Sequence, residues 1–235
     1  MSGLLVITGA SAGIGHATAA HFAGNGWQVV NLSRSGCEVP GATHISADLS
    51  DPAWPDAAKP ALEPLLSQAG GSICLVHCAG LLLKDNVREV TADALASSLQ
   101  VNVIAASQLN QLVFPHMEAG ASVIYVGSTL GEKAVAGAAS YVTAKHAQIG
   151  LMRSTCQDLA GSGIHTTCVC PGFTDTAMLR SHVGNDNDIL ASLAGNVTMG
   201  RLIEPEEIAQ TIWFAAHSPV INGAVLHANL GQLER

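Results

Sequence analysis

The chain has 235 residues, of which 48% are hydrophobic and 12% charged, and its mean hydropathy is +0.32. That composition excludes disorder, and a net charge of −8 with only ten Lys and Arg leaves no basic stripe for nucleic acid or an anionic membrane surface. No apolar run approaches the roughly 18 residues of a spanning helix. Residues 1–8 lack the basic start and cleavage site of a signal peptide, so a cytoplasmic protein is expected.

Short β-branched runs at 4–8, 28–32, 43–46, 72–77, 122–126, 165–170 and 224–227 predict seven strands. Helices are expected to begin near Ile14, Pro52, Thr91, Ser140 and Pro205. This alternation predicts an α/β fold: one doubly wound domain over residues 1–235, with a mostly parallel sheet covered by helices on both faces. Continuous apolar strands such as Leu4-Leu5-Val6-Ile7 fit a sheet buried on both sides. The stretch 174–201, rich in Gly, Asn and Asp, reads as an irregular, mobile loop over a site. The six cysteines form no pair of CxxC motifs and the ten histidines are scattered, so no metal site is expected and buried free thiols are the better reading.

The first strand runs into Thr8-Gly9-Ala10-Ser11-Ala12-Gly13-Ile14-Gly15 and then a helix. Glycines there permit a tight turn and close approach of backbone to a pyrophosphate at the positive end of the helix dipole. Many strand–helix turns need glycine for steric reasons only, so the loop gains weight from its place after the first strand. Tyr141 and Lys145 are four apart and share a helix face. A phenol is a poor acid or base at neutral pH, and a neighbouring ammonium favours its ionised form. Most such pairs on helices are structural. Ser128, at the carboxyl end of the strand at 122–126, is where ligands bind in open α/β sheets and raises the pair above that background.

Together these motifs resemble the short-chain dehydrogenase/reductase family, of the common type similar to 3-oxoacyl-acyl-carrier-protein reductases. The resemblance implies a Rossmann fold and an NAD(P)(H)-dependent oxidoreductase. It implies that Gly9, Ser11, Gly13, Ile14 and Gly15 cradle the cofactor phosphates, Asp48 and Leu49 hold the adenine, and Ala79 and Gly80 lie along the cofactor. Asn102 in Val101-Asn102-Val103 matches the family's catalytic asparagine on its fourth long helix, and Ser128, Tyr141 and Lys145 complete the catalytic set. Pro171, Gly172, Thr174 and Thr176 resemble the segment that meets the nicotinamide. His77-Cys78 replaces two asparagines that in the family support the sheet and the ribose, and the tail 221–231 also departs from the usual pattern.

The implied reaction interconverts a carbonyl and a secondary alcohol of a small molecule. The uncharged run 134–139 points to a neutral or apolar substrate, with a 3-oxoacyl thioester, a small ketone or diketone, and a sugar or steroid alcohol all left open. NADP(H) is favoured over NAD(H): Ser33 stands where NAD-preferring relatives carry an acid, and Arg34 beside it suits a 2′-phosphate. A homotetramer or dimer is expected from the resemblance. Two other readings stay open: a non-catalytic dinucleotide-binding regulator, which needs no Tyr–Lys pair, and an epimerase or dehydratase, which usually adds a larger C-terminal region.

Overall fold

Leu4, Leu5, Val6 and Ile7 are all buried, so both faces of the first strand must be covered. The computed structural model describes residues 3–233. Its strands are β1 (Leu4–Thr8), β2 (Gln28–Ser33), β3 (Thr43–Ser46), β4 (Ile73–His77), β5 (Ser122–Val126), β6 (His165–Pro171) and β7 (Val225–Ala228). They form one sheet in the order β3-β2-β1-β4-β5-β6-β7, with every neighbouring pair parallel. All seven expected strands are present, with ends displaced by a residue at most.

Leu4 and Val6 pack under α2 (Trp54–Gln68), α4 (Ala105–Val113) and α5 (Ala139–Asp158), while Leu5 and Ile7 face α1 (Gly13–Gly24) and α8 (Pro205–Ala216). On that second face Phe22 meets Trp213 edge to face, with ring centroids 4.8 Å apart. The chain leaves β1 toward β2 and β3, then returns to place β4 on the other side of β1. That reversal opens a crevice at the carboxyl ends of β1 and β4. Among the described residues no helix is long and apolar enough to cross a membrane.

Two segments differ from the sequence expectation. The helix that carries Asn102 is interrupted: α3 (Ala92–Leu99) passes through a wider π turn at Gln100–Ile104 before α4. The segment 174–201, expected to be irregular, contains α6 (Ala177–His182) and α7 (Asn187–Gly195). Each begins on a side-chain cap. Thr176 Oγ1 accepts from Leu179 N at 3.2 Å, and Asp186 Oδ1 accepts from Asp188 N at 2.9 Å. The Gly and Asn content masked these two start signals.

One polar chain crosses the larger core. His77 Nε2 meets Asn110 Oδ1 (2.8 Å), Asn110 Nδ2 donates to Tyr125 Oη (2.8 Å), and Tyr125 Oη meets Thr155 Oγ1 (2.9 Å). Tyr125→Phe keeps the ring and strands the Asn110 donor in the core. A loss of about 1–3 kcal/mol in urea unfolding, at unchanged m value, is expected; an unchanged midpoint would show that the chain carries no stability.

Candidate active site

The ends of the central strands are tied together before any ligand is considered. Thr8 Oγ1 accepts from Cys78 N and Ala79 N, both at 3.1 Å, joining β1 to β4. Asn31 Oδ1 accepts from Ala10 N at 3.0 Å and fixes the glycine loop to β2. Gly9 has φ +74°, and a Cβ there would stand 2.8 Å from Ala79 Cα. A Cβ on Gly15 would collide with the Gly9 carbonyl oxygen. The loop therefore requires glycine at both positions.

The start of α1 lacks a cap. No side chain accepts from its first turn, and that turn holds no acidic residue. Thr91, Thr176 and Asp186 cap α3, α6 and α7, Glu207 Oε2 accepts from Glu204 N at the start of α8, and Asp51 and Asp85 accept amides at the starts of α2 and α5. The free amides of α1 aim their partial positive charge into the crevice beside Gly9, which fits a dinucleotide pyrophosphate. Ser11, exposed, and Ile14, half-buried, flank this opening.

At the far end of the crevice, Ser33 is buried and its hydroxyl is used within the chain. It donates to Ser35 O (2.6 Å) and accepts from Asn31 Nδ2 (2.8 Å). Arg34 is exposed. Asp48 Oδ1 accepts from Ser50 Oγ (2.7 Å) and Ser50 N (3.1 Å), and these bonds, aided by the Arg34 charge, hold its carboxyl below the usual value. Leu49 is buried and its carbonyl accepts from Gln100 Nε2 at 3.2 Å.

Asn102 and Lys145 converge around Gly80. A Cβ built on Gly80 would lie 3.3 Å from Asn102 Oδ1 and 3.9 Å from both Lys145 Nζ and Met178 Cε. Asn102 Nδ2 donates to Ser98 O (2.8 Å) and Leu81 O (3.0 Å), clamping the π turn to the segment after β4. Lys145 is buried, and its Nζ donates to Val126 O (2.9 Å) and Gln148 Oε1 (3.0 Å). An ammonium has three hydrogens, so one stays available. The same nitrogen lies 5.5 Å from the Tyr141 ring centroid. Ser128 Oγ accepts from Leu130 N at 3.1 Å, which leaves its hydroxyl hydrogen free for an incoming acceptor.

The segment after β6 closes over this crevice. Gly172 N donates to Ala228 O (3.0 Å) beyond Pro171, and Thr174 Oγ1 donates to Gly172 O (3.2 Å). A Cβ on Gly13 would lie 3.2 Å from Thr176 Cγ2, so the start of α6 leans on the glycine loop. A paired contact from Arg180 to Asp175, at 2.5 and 2.6 Å, braces that turn. Sequence reading missed Asn31, Asp85 and Gln148. Asp85 Oδ1 accepts from Ser140 N at 3.0 Å and so sets where the helix carrying Tyr141 begins. No local motif marks these three, because each acts on a partner brought close only by the fold or by an adjacent helical turn.

Comparisons with known proteins bear on the family and the fold. The sequence pattern of the family described as enoyl-(acyl carrier protein) reductase matches residues 9–232. The chain is 31% identical over 238 residues to 3-oxoacyl-[acyl-carrier-protein] reductase FabG of Vibrio cholerae, covering 96% of this chain and 95% of the relative. It is 30% identical over 233 residues to carbonyl reductase family member 4 of Xenopus laevis, covering 96% of each. The ligand-free aldohexose dehydrogenase of Thermoplasma acidophilum superposes with a TM-score of 0.90 at 27% identity, covering 98% of this chain and 93% of that one.

Burial pulls His77 down to about 4 from its ordinary 6.5, against the Asn110 hydrogen bond, which acts in the other direction. Between those two values the unfolded chain binds a proton that the folded chain refuses. Stability therefore falls as pH drops from about 6.5 to about 4, by up to about 1.4 kcal/mol per pH unit. Urea midpoints across that window should fall more steeply for the wild type than for His77→Asn. Parallel curves would contradict a neutral buried imidazole.

Proposed function

The chain belongs to the short-chain dehydrogenase/reductase family of NAD(P)-dependent oxidoreductases, and we propose that it interconverts a carbonyl and a secondary alcohol with Tyr141 as the acid and base. The observation that carries this reading is the convergence of Asn102 and Lys145 on Gly80, with the Lys145 ammonium beside the Tyr141 ring. When bound, the nicotinamide supplies the hydride in reduction and accepts it in oxidation.

Tyr141 donates its phenolic proton to the carbonyl oxygen as negative charge develops there, and takes it back in the reverse direction. The free hydroxyl hydrogen of Ser128 orients that oxygen and stabilises its growing charge. Lys145 turns its remaining N–H toward the cofactor ribose and keeps a positive charge beside the phenol. Asn102 holds the Gly80–Leu81 backbone against the π turn and so fixes one wall of the site. In this reading Gly9, Ser11, Gly13, Ile14 and Gly15 hold the pyrophosphate, and Asp48 and Leu49 the adenine. Ala79 and Gly80 line the ribose, and Pro171, Gly172, Thr174 and Thr176 face the nicotinamide.

The substrate is a small neutral or apolar ketone or alcohol, as the uncharged run 134–139 beside Ser128 and Tyr141 supports. Family resemblance supports residues 1–235 acting as one cofactor-binding unit, in the cytoplasm, as a homotetramer or dimer. NADP(H) is the preferred cofactor. Ser33 presents no carboxylate to repel a 2′-phosphate, and the exposed Arg34 offers a planar, permanently charged fork to bind one.

Two measurements test these assignments. Tyr141→Phe should keep the fold and cofactor binding while turnover on a responsive ketone falls about 10²–10⁴-fold. Full turnover would refute the acid–base role, and a wild type that binds cofactor but reduces nothing in a broad panel would favour a regulator. Arg34→Ala should weaken kcat/KM for NADPH by about 1.5–3 kcal/mol and leave NADH almost untouched, while Ser33→Asp should shift preference toward NADH. Equal losses with both cofactors, or a wild type preferring NADH, would overturn the NADP(H) assignment.

A further inference from the structure

The polar chain through the core has a direction, and it ends on an unpaired atom. Thr155 Oγ1 donates to Leu151 O at 2.9 Å, so it accepts from the Tyr125 hydroxyl. With its hydrogen used there, Tyr125 Oη accepts from Asn110 Nδ2, which turns Asn110 Oδ1 toward His77 Nε2. His77 Nε2 therefore carries the hydrogen. On this neutral ring Nδ1 is a bare acceptor. It is buried and has no hydrogen-bond partner among the described residues.

His77 lines a cavity of about 10 Å³, together with Thr8, Ala79, Asn102, Ala106 and Gln148 among others. That volume is near the lower bound for one water molecule, about 10–15 Å³. Gln148 is 1% exposed, and its Oε1 accepts from Lys145 Nζ, which leaves its amide hydrogens to be satisfied. His77, with its unpaired acceptor, and Gln148, with its unused amide hydrogens, thus line the same small cavity, whose wall is part polar and part apolar.

We propose that one internal water bridges His77 Nδ1 and the Gln148 amide, which makes His77 a positioning residue for Lys145. The logic is one of hydrogen-bond polarity. The Nδ1 lone pair takes one hydrogen of the water. The water oxygen then accepts from the Gln148 amide, and that selects the carboxamide orientation with Oε1 facing the ammonium. The opposite orientation would set two donors, the amide and the Lys145 N–H, against each other. His77 thereby acts on Lys145 from the opposite side of a water and a glutamine, without touching substrate or cofactor. Its effect on turnover rests on the role proposed above for Lys145, whereas the water itself does not.

The resting full-length protein provides the first test. A crystal structure at about 1.2 Å resolution should show one water within hydrogen-bonding distance of His77 Nδ1 and Gln148 Nε2. Nitrogen-15 spectra should show a neutral His77 protonated at Nε2 with a hydrogen-bonded Nδ1. A dry cavity, or an Nδ1-protonated ring, would overturn the proposal.

Kinetics provide the second. Gln148→Met keeps the side-chain length and spares the Asn110 chain; it should lower kcat of order tenfold with little change in KM for the ketone. His77→Phe should give a similar loss, and the double variant should lose no more than Gln148→Met alone. Fully additive losses, or losses confined to KM, would remove the positioning role. Should His77→Phe fail to fold, Gln148→Met together with the wild-type tautomer decides the matter. If Tyr141→Phe retains full turnover while the water and tautomer are as stated, the catalytic reading fails and the water site stands.

Discussion

A buried ammonium constrains the centre of this molecule. Lys145 is 3% exposed, and a charge so placed must be hydrogen-bonded or the fold loses several kcal/mol. Its partners are the Val126 carbonyl at the end of β5 and the Gln148 carboxamide one turn along its own helix. These bonds fix how α5 lies over the sheet and require the chain after β5 to turn away sharply. Gly127 lets the chain pass close against β6 there, since a Cβ would stand 2.7 and 2.8 Å from the Cys168 and Cys170 sulfurs. Tyr141 and Ser128 are then placed by the two elements that Lys145 joins.

The same economy governs the glycine-loop end. Thr8, whose residue type favours a strand, uses its one oxygen to accept two amides from the start of the next crossover. β1 and β4 are held together at the point where strand order reverses, so the crevice is a consequence of topology rather than of a mobile loop. The glycines follow from that closeness. Gly9 faces Ala79, Gly15 faces the Gly9 carbonyl, and neither position has room for a side chain.

The five inner strands were legible because each is a short apolar run buried almost throughout, and helices on both sides follow from that burial. The edge strands β3 and β7 are more exposed and were legible from their β-branched runs and spacing. The Tyr141–Lys145 pair was legible because helical spacing alone puts both on one face, and α5 does carry both. Asn102 was legible only through family resemblance. Val101, Val103 and Ile104 around it read as ordinary helix, and nothing local announces a π turn held by Asn102 reaching back to Ser98 and across to Leu81. Asp85 was not legible because its partner, the Ser140 amide, is 55 residues away. The helices of 174–201 were hidden by composition, since Thr176 and Asp186 read equally as caps or as loop residues until their acceptor geometry is known.

The departure at His77-Cys78 shows how a core can absorb a changed residue type. At position 78 the work is done by the backbone amide donating to Thr8, so the side chain is released from that role. At position 77 a larger ring replaces an amide. It fits because its face lies against Tyr125, with centroids 4.7 Å apart, and its Nε2 has Asn110 to bond. An asparagine offers both a donor and an acceptor from a single rotatable group. Imidazole separates them to opposite edges of a rigid ring, and satisfying one edge commits the other to face elsewhere. With Nε2 turned to Asn110, the second nitrogen remains buried on a ring that lines the small cavity under Asn102 and Gln148, near the carboxamide that bonds Lys145. A substitution that looks peripheral in sequence therefore brings an unpaired acceptor close to the inner wall of the candidate site.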